Sequence, residues 1–165
     1  MTIAIASRHE GIRALDAADL EAVVAIDRAH AGHARRRFFE KHFAAAAAHP
    51  DDFVQIGAIQ DGSLRGFVFA RLLRGEFGRD DLVAVIDALG VEPDREARGL
   101  GRALMDRLVE MARQKGVRSL HSQAGWTEHR LLRFFDVCGF HMAPRIVLDR
   151  AVADPLIEEA VEEPS

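Results

Sequence analysis

The residues with the most chemical content fall in one stretch, Val91-Glu92-Pro93-Asp94-Arg95-Glu96-Ala97-Arg98-Gly99-Leu100-Gly101-Arg102-Ala103-Leu104. An apolar run, Leu82 to Val91, leads through a charged turn into a glycine-bearing helix start. The amides of a first helical turn have no intrahelical partner and stand at the positive end of the helix dipole. Such a turn suits a phosphate or pyrophosphate. Gly99 and Gly101 allow a close backbone approach to the anion, while Arg98 and Arg102 add positive charge. The plainer reading is a tight strand-to-helix turn, for which one glycine normally suffices. No lysine follows as the Walker pattern requires, and Leu104 occupies the third glycine place of a dinucleotide fingerprint.

A second set of residues could move protons. Asp87 is the single acid in the run Leu82 to Val91, four residues before Val91. Burial raises a carboxyl pKa toward the range useful to a general base, which makes Asp87 the first candidate. The alternative is a carboxylate satisfied by backbone amides or an arginine. Glu76, in Gly75-Glu76-Phe77-Gly78, is the second candidate, against a solvated turn acid. Cys138 has no base partner in sequence and reads as a small hydrophobe rather than a nucleophile. His30 and His33 have helical spacing, but without a cluster of ligand spacing no metal is assigned. The basic segment His30 to Arg37, with Lys41 and His42, either recognises an anionic acceptor or is a solvated helix face. Trp126 either lines the same cleft or caps the core. There are 10 Phe and 1 Trp but no Tyr, so no phenol is available for acid–base chemistry.

The elements that must hold these residues follow from hydrophobic period. Gly11 to Leu15 is extended, and Asp19 is placed to cap a helix carrying Leu20, Val23, Val24 and Ile26. A second helix runs from about Arg35 to Ala48 and stops before Pro50. Phe53 to Ile59 and Leu64 to Leu73 form a hairpin around Asp61-Gly62. Leu82 to Val91, apolar on both faces, predicts a central buried strand. Apolar residues at 100, 104, 108, 111 and 112 predict a helix ending at Lys115-Gly116. A strand (Val117 to Ala124), a helix (about Thr127 to Cys138) and a final strand (Phe140 to Leu148) complete a mixed α/β sheet. Residues 1–148 form one domain, and 149–165 a tail with six acids against Arg150.

Composition bounds the function. The chain has 165 residues with 48% hydrophobic and 29% charged, as in ordinary globular proteins. Its net charge of −4 sits largely in the tail, so the body is near neutral and has no footprint for nucleic acid. The amino terminus has no long apolar core, no run approaches a membrane span, and a lone cysteine forms no internal disulfide. These features predict a cytoplasmic protein with no membrane partner.

Leu89-Gly90-Val91-Glu92-Pro93 followed by Arg98-Gly99-Leu100-Gly101-Arg102-Ala103-Leu104 resembles the central motif of the GNAT superfamily of N-acetyltransferases, Gln/Arg-x-x-Gly-x-Gly/Ala. Leu132 to Phe140 (LRFFDVCGF) resembles the later helix of that family, and the element order from Ile12 to Val147 agrees. The resemblance implies a mixed, mostly antiparallel sheet with a splayed parallel pair, flanked by about four helices. It implies acetyl-CoA as cofactor, with the pyrophosphate on the amides from Arg98 to Ala103, Leu100 included. The pantetheine arm would lie along Leu89, Gly90 and Val91, where the strand bulges and leaves backbone groups unpaired. Glu96 stands where the family has Gln or Arg, and Phe135 where many members place the tyrosine that protonates the leaving thiolate. A thiol of pKa about 8.5 leaving as thiolate at pH 7 forgoes about 1.5 units, roughly 2 kcal/mol. An amine of pKa about 10.4 must lose a proton before attack, so the base matters more. The implied activity is direct acetyl transfer to a primary amine of a small molecule, peptide or protein, and the family admits a homodimer. The alternative is a non-catalytic acyl-CoA-binding or regulatory module.

Overall fold

Asp61 and Gly62 both take left-handed backbone angles (φ 50° and 72°). Two such residues in succession form the hairpin turn whose twist suits antiparallel strands. They join β2 (Phe53–Gln60) to β3 (Ser63–Arg74), and β4 (Leu82–Val91) pairs antiparallel on the far side of β3. The short β1 (Ile12–Ala14) adds antiparallel to β2, and β5 (Ser119–His121) adds parallel to β4. The sheet is therefore mixed, in the order β1-β2-β3-β4-β5. This computed structural model describes residues 11–75, 78–94 and 99–152.

Alternation along the strands feeds two cores. Phe67 and Phe69 face α1 (Leu20–Ala31) and α2 (Arg36–Ala48), where they meet Val23, Ile26, Phe39 and Phe43. Val68 and Ala70 point the other way, with Ile86, toward α3 (Leu100–Gln114) and α4 (His129–Val137). Leu104, Met105 and Leu108 of α3 are fully buried there, and Phe135 of α4 closes that layer. Period two in the strands and period 3.6 in the helices thus meet at one sheet with helices on both faces.

Four expectations change. Asp19 occupies the residue before α1 but makes no side-chain cap; its carboxylate accepts from Arg13 and the Asp16 amide, while Asp16 caps the 3-10 turn Ala17–Asp19. The strand expected over Val117 to Ala124 holds only at Ser119–His121, because β4 offers it partners only at Val83, Ala84 and Val85. The helix expected from about Thr127 starts at His129. The strand expected at Phe140 to Leu148 does not form, because a strand needs a ladder partner and none is presented there among the described residues.

Candidate active site

β4 opposes β3 with one residue too many. Phe69 faces Ala88 and Ala70 faces Ile86, so Asp87 has no partner of its own and forms a bulge. A bulge bends its strand and re-aims a side chain. It turns Asp87 onto the α2 face of the sheet, toward His42.

Pairing of β4 with β5 ends at Val85, just before the bulge. Glu92 N–H donates to the Arg65 carbonyl while Gly66 faces Val91. In an antiparallel pair this makes Gly66 and Val91 a non-hydrogen-bonded pair, so the N–H and C=O of Val91 point away from β3. Leu89, opposite Val68, is two residues back and presents its backbone the same way. On that side β5 pairs with β4 no further than Val85. The result is an edge of backbone donors and acceptors at Leu89 and Val91 to which, among the described residues, no strand is paired. His30 at the end of α1 donates from Nε2 to the Val91 carbonyl. A carbonyl has two lone pairs, so one remains for another donor.

The first turn of α3 lies against this edge. Gly99 precedes the helix in the left-handed region (φ 75°), with no side-chain cap, and the first turn contains no acid. Ala103 N–H closes the first helical bond on the Gly99 carbonyl, leaving the amides of Leu100, Gly101 and Arg102 outside the helical ladder. A Cβ on Gly99 would meet nothing, so its glycine is required by backbone angle alone. Gly101 is different: a Cβ there would stand 3.1 Å from the Phe134 ring and 3.6 Å from Val91. Its glycine lets α3 pack against α4 and β4. At Gly90 a Cβ would come within 2.8 Å of Phe67 and 3.3 Å of Ile26, so this glycine seats α1 on the sheet.

Asp87 is not the isolated carboxyl that its place in an apolar strand suggested. Its Oδ2 accepts from Arg71 Nε at 2.6 Å and His42 Nε2 at 3.1 Å, and its Oδ1 from Arg71 Nη2 at 2.8 Å. Burial pushes the carboxyl up, but the bonds from His42 and Arg71 outweigh it and hold it below the ordinary carboxylate value. The expectation of a raised pKa is therefore overturned by a cation and an imidazole drawn from other strands and helices. Buried Gln55 fixes the imidazole: its amide NH2 donates to the His42 carbonyl (3.2 Å) and to Nδ1 (2.9 Å). With Nδ1 accepting, the proton sits on Nε2 and points at Asp87. Phe53 and Phe69 pack edge-on to the ring. Sequence reasoning missed Arg71 and Gln55 and left His42 in a basic surface segment. The signal was present in the period, since Phe39, His42 and Phe43 share one face of α2.

The basic segment is largely committed to the fold. Arg35 forks onto buried Asp27 and lies over the Phe38 and Phe39 rings, tying α2 to α1. Arg36 pairs with Glu21, and His33 Nδ1 bonds within its own turn to Ala31. Burial raises the Cys138 thiol above its ordinary value, and it packs beside the α3 core as a small hydrophobe does. Phe135 is buried against Phe140, with ring centroids 4.9 Å apart. Trp126 stands out into solvent. Among the described residues no group of three or more His, Cys, Asp or Glu could hold a metal, and no helix is long and apolar enough to cross a membrane. Glu76 and Arg98 lie outside the described residues.

A mixed sheet whose one parallel pair parts beside a helix start defines a recognisable class. Residues 13–140 match the acetyltransferase (GNAT) family, and the chain belongs to it. It is similar to the ribosomal protein bS18-alanine N-acetyltransferase of Escherichia coli strain K12, with 26% identity over 133 residues, 80% of this chain and 81% of that one. Its fold is that of a putative acetyltransferase from Agrobacterium tumefaciens (TM-score 0.71, 18% identity, 85% of this chain and 99% of that one). It is also that of AAC(6')-Iy bound to the bisubstrate analogue CoA-S-monomethyl-acetylneamine (TM-score 0.69, 21% identity, 86% of this chain and 97% of that one). The family uses acetyl-CoA. The donor set fits that group: backbone amides and carbonyls at Leu89 and Val91 suit its amide-bearing arm, and an acid-free helix start suits its pyrophosphate.

Proposed function

We propose that the protein transfers an acetyl group from acetyl-CoA to a primary amine within a ternary complex. The observation that carries this reading is the separation of β4 from β5 beyond Val85, opposite the uncapped start of α3. Leu89, Gly90 and Val91 would hold the pantetheine arm by backbone pairing. The amides of Leu100, Gly101 and Arg102, with the Arg98 and Arg102 side chains, would hold the pyrophosphate, while the Ala103 amide, expected in that set, is taken by the Gly99 carbonyl. Acetyl-CoA supplies the acyl group already activated as a thioester.

The chain's own task is to orient the amine and take its proton. Asp87, already accepting from three N–H groups, is a poor base for an ammonium of pKa about 10.4. It serves as a fixed anion beside the splay, held by Arg71 and His42, and proton removal falls to Glu76 or to water. Phe135 contributes packing and no proton, so this position would supply no acid to the leaving sulfur.

The test is coenzyme A release on a panel of amines, with cofactor affinity measured by calorimetry. Similarity to an alanine N-acetyltransferase and to AAC(6')-Iy makes peptides with amino-terminal alanine and polyamine sugars the first two acceptor classes. Stimulated thiol release by either supports the reading. Tight cofactor binding with no acceptor across the panel would overturn it in favour of a non-catalytic acyl-CoA-binding module. Asp87→Asn with kcat within about tenfold of the parent fits a fixed anion; a loss beyond ~100-fold at unchanged cofactor affinity would make Asp87 the base.

A further inference from the structure

Trp126 is the one indole of the chain, and 89% of it is exposed. A ring of that size usually finds cover in a fold. The turn that carries it is well fixed. Glu128 N–H donates to the Gly125 carbonyl, and the Glu128 carboxylate accepts from the Gly125 N–H. Together they close residues 125–128 into a turn with Trp126 and Thr127 at its corners. The Glu128 carbonyl accepts in turn from Leu132 N–H, which ties the turn to α4. The indole is therefore held out into solvent by an anchored backbone.

Its place follows from the register of the parallel pair. Val83, Ala84 and Val85 face Ser119, Leu120 and His121. Counting both chains onward from Val85 and His121 brings Gly125 level with Leu89 and Trp126 level with Gly90. Among the described residues no strand is paired to that side of β4 beyond Val85, so the two chains face each other across an opening. One wall of the opening is the polar backbone of Leu89 and Val91. Trp126 stands at the other, where the chain turns back into α4.

We propose that Trp126 is a cofactor-binding residue whose ring covers the arm of acetyl-CoA from the side opposite β4. The inference rests on the cofactor placement argued above, and adds to it a second wall. The arm interleaves amides with methylene and dimethyl carbons. Leu89 and Val91 can pair with the amides, but a strand edge offers nothing to the apolar carbons between them. An indole does, because its body is apolar and its one polar atom is a donor that the arm's carbonyl oxygens can accept from. The ring neither gives nor takes a proton in the transfer. It excludes water from one side of the arm, and Glu128 positions it by holding the turn.

The test is intrinsic fluorescence of the full chain titrated with coenzyme A, beside calorimetry of the same titration. With 1 Trp and no Tyr, the emission belongs to Trp126. Saturating coenzyme A should move that emission to shorter wavelength and shield it from iodide. Trp126→Ala should weaken coenzyme A binding at least ~10-fold, whereas Trp126→Phe, which keeps an aromatic face, should stay within about threefold of the parent. Neither should change the thermal midpoint of the free protein, because the ring is exposed. Emission that stays put and open to iodide while calorimetry records binding overturns the inference and leaves the cofactor site standing. Parent affinity in Trp126→Ala overturns it as well. Absence of binding by both measurements overturns the inference together with the placement it rests on.

Discussion

Asp87 shows how little a residue's neighbours in sequence say about its charge. Five apolar residues precede it in β4 and Ala88, Leu89, Gly90 and Val91 follow it, yet its carboxylate is matched by Arg71 from β3 and His42 from α2. Removing the anion leaves the partly buried guanidinium and the imidazole N–H short of an acceptor. Asp87→Asn should cost about 1–3 kcal/mol at neutral pH, the range for leaving buried hydrogen-bonding groups unsatisfied. The pH dependence has a definite sign. A carboxyl whose folded pKa is depressed contributes stability above its unfolded value, about 3.9, and loses it as pH falls through the folded one. Thermal unfolding of parent and variant should therefore differ at pH 7 and converge below about pH 4. A gap that persists at pH 2 would mean that the substitution acts through packing. Gly90 gives a second test at this scale. A methyl at Gly90 meets the ring of fully buried Phe67 at 2.8 Å, so Gly90→Ala should destabilise by about 1–3 kcal/mol in a denaturant titration.

At the scale of elements, what matters is how α3 and β4 are set against each other. Gly101 lets the first turn of α3 come against Phe134 and Val91, which brings the free amides to the separated edge of β4. Gly101→Leu cannot keep that approach. It should weaken coenzyme A binding at least ~10-fold in calorimetry while the sheet, built from β1 to β5, keeps its strand signal in circular dichroism. Unchanged affinity would show that the helix start is not where the cofactor's charge lies. The helix itself was legible, because Leu100, Leu104, Leu108 and Ala112 are each four apart and all are buried. Its close packing was not, because the Phe134 contact joins residues distant in sequence.

Across the whole molecule, the hairpin, the β4 strand and the α3 stripe were readable because each depends on local period or turn chemistry. Leu82–Val91 was expected and is observed at those same bounds. The caps, the length of β5 and the fate of residues 140–148 were not readable, because each depends on whether a partner stands opposite. Phe140 to Leu148 keeps a strand's alternation and lacks only an edge to bond.

By itself the sequence determined which residues are apolar, at what period, and where the backbone may turn left-handed. That was enough to place a glycine-bearing helix start after an apolar strand, while the place of Phe135 came from the resemblance to the family. Only the tertiary structure decided that Asp87 would be a paired anion, that Gly90 and Gly101 serve packing, and that β4 would part from β5 after Val85. The reason is physical: period and turn preference act within a few residues of chain, whereas a carboxyl's charge state, a glycine's neighbours and a strand's unpaired edge are set by groups brought from elsewhere.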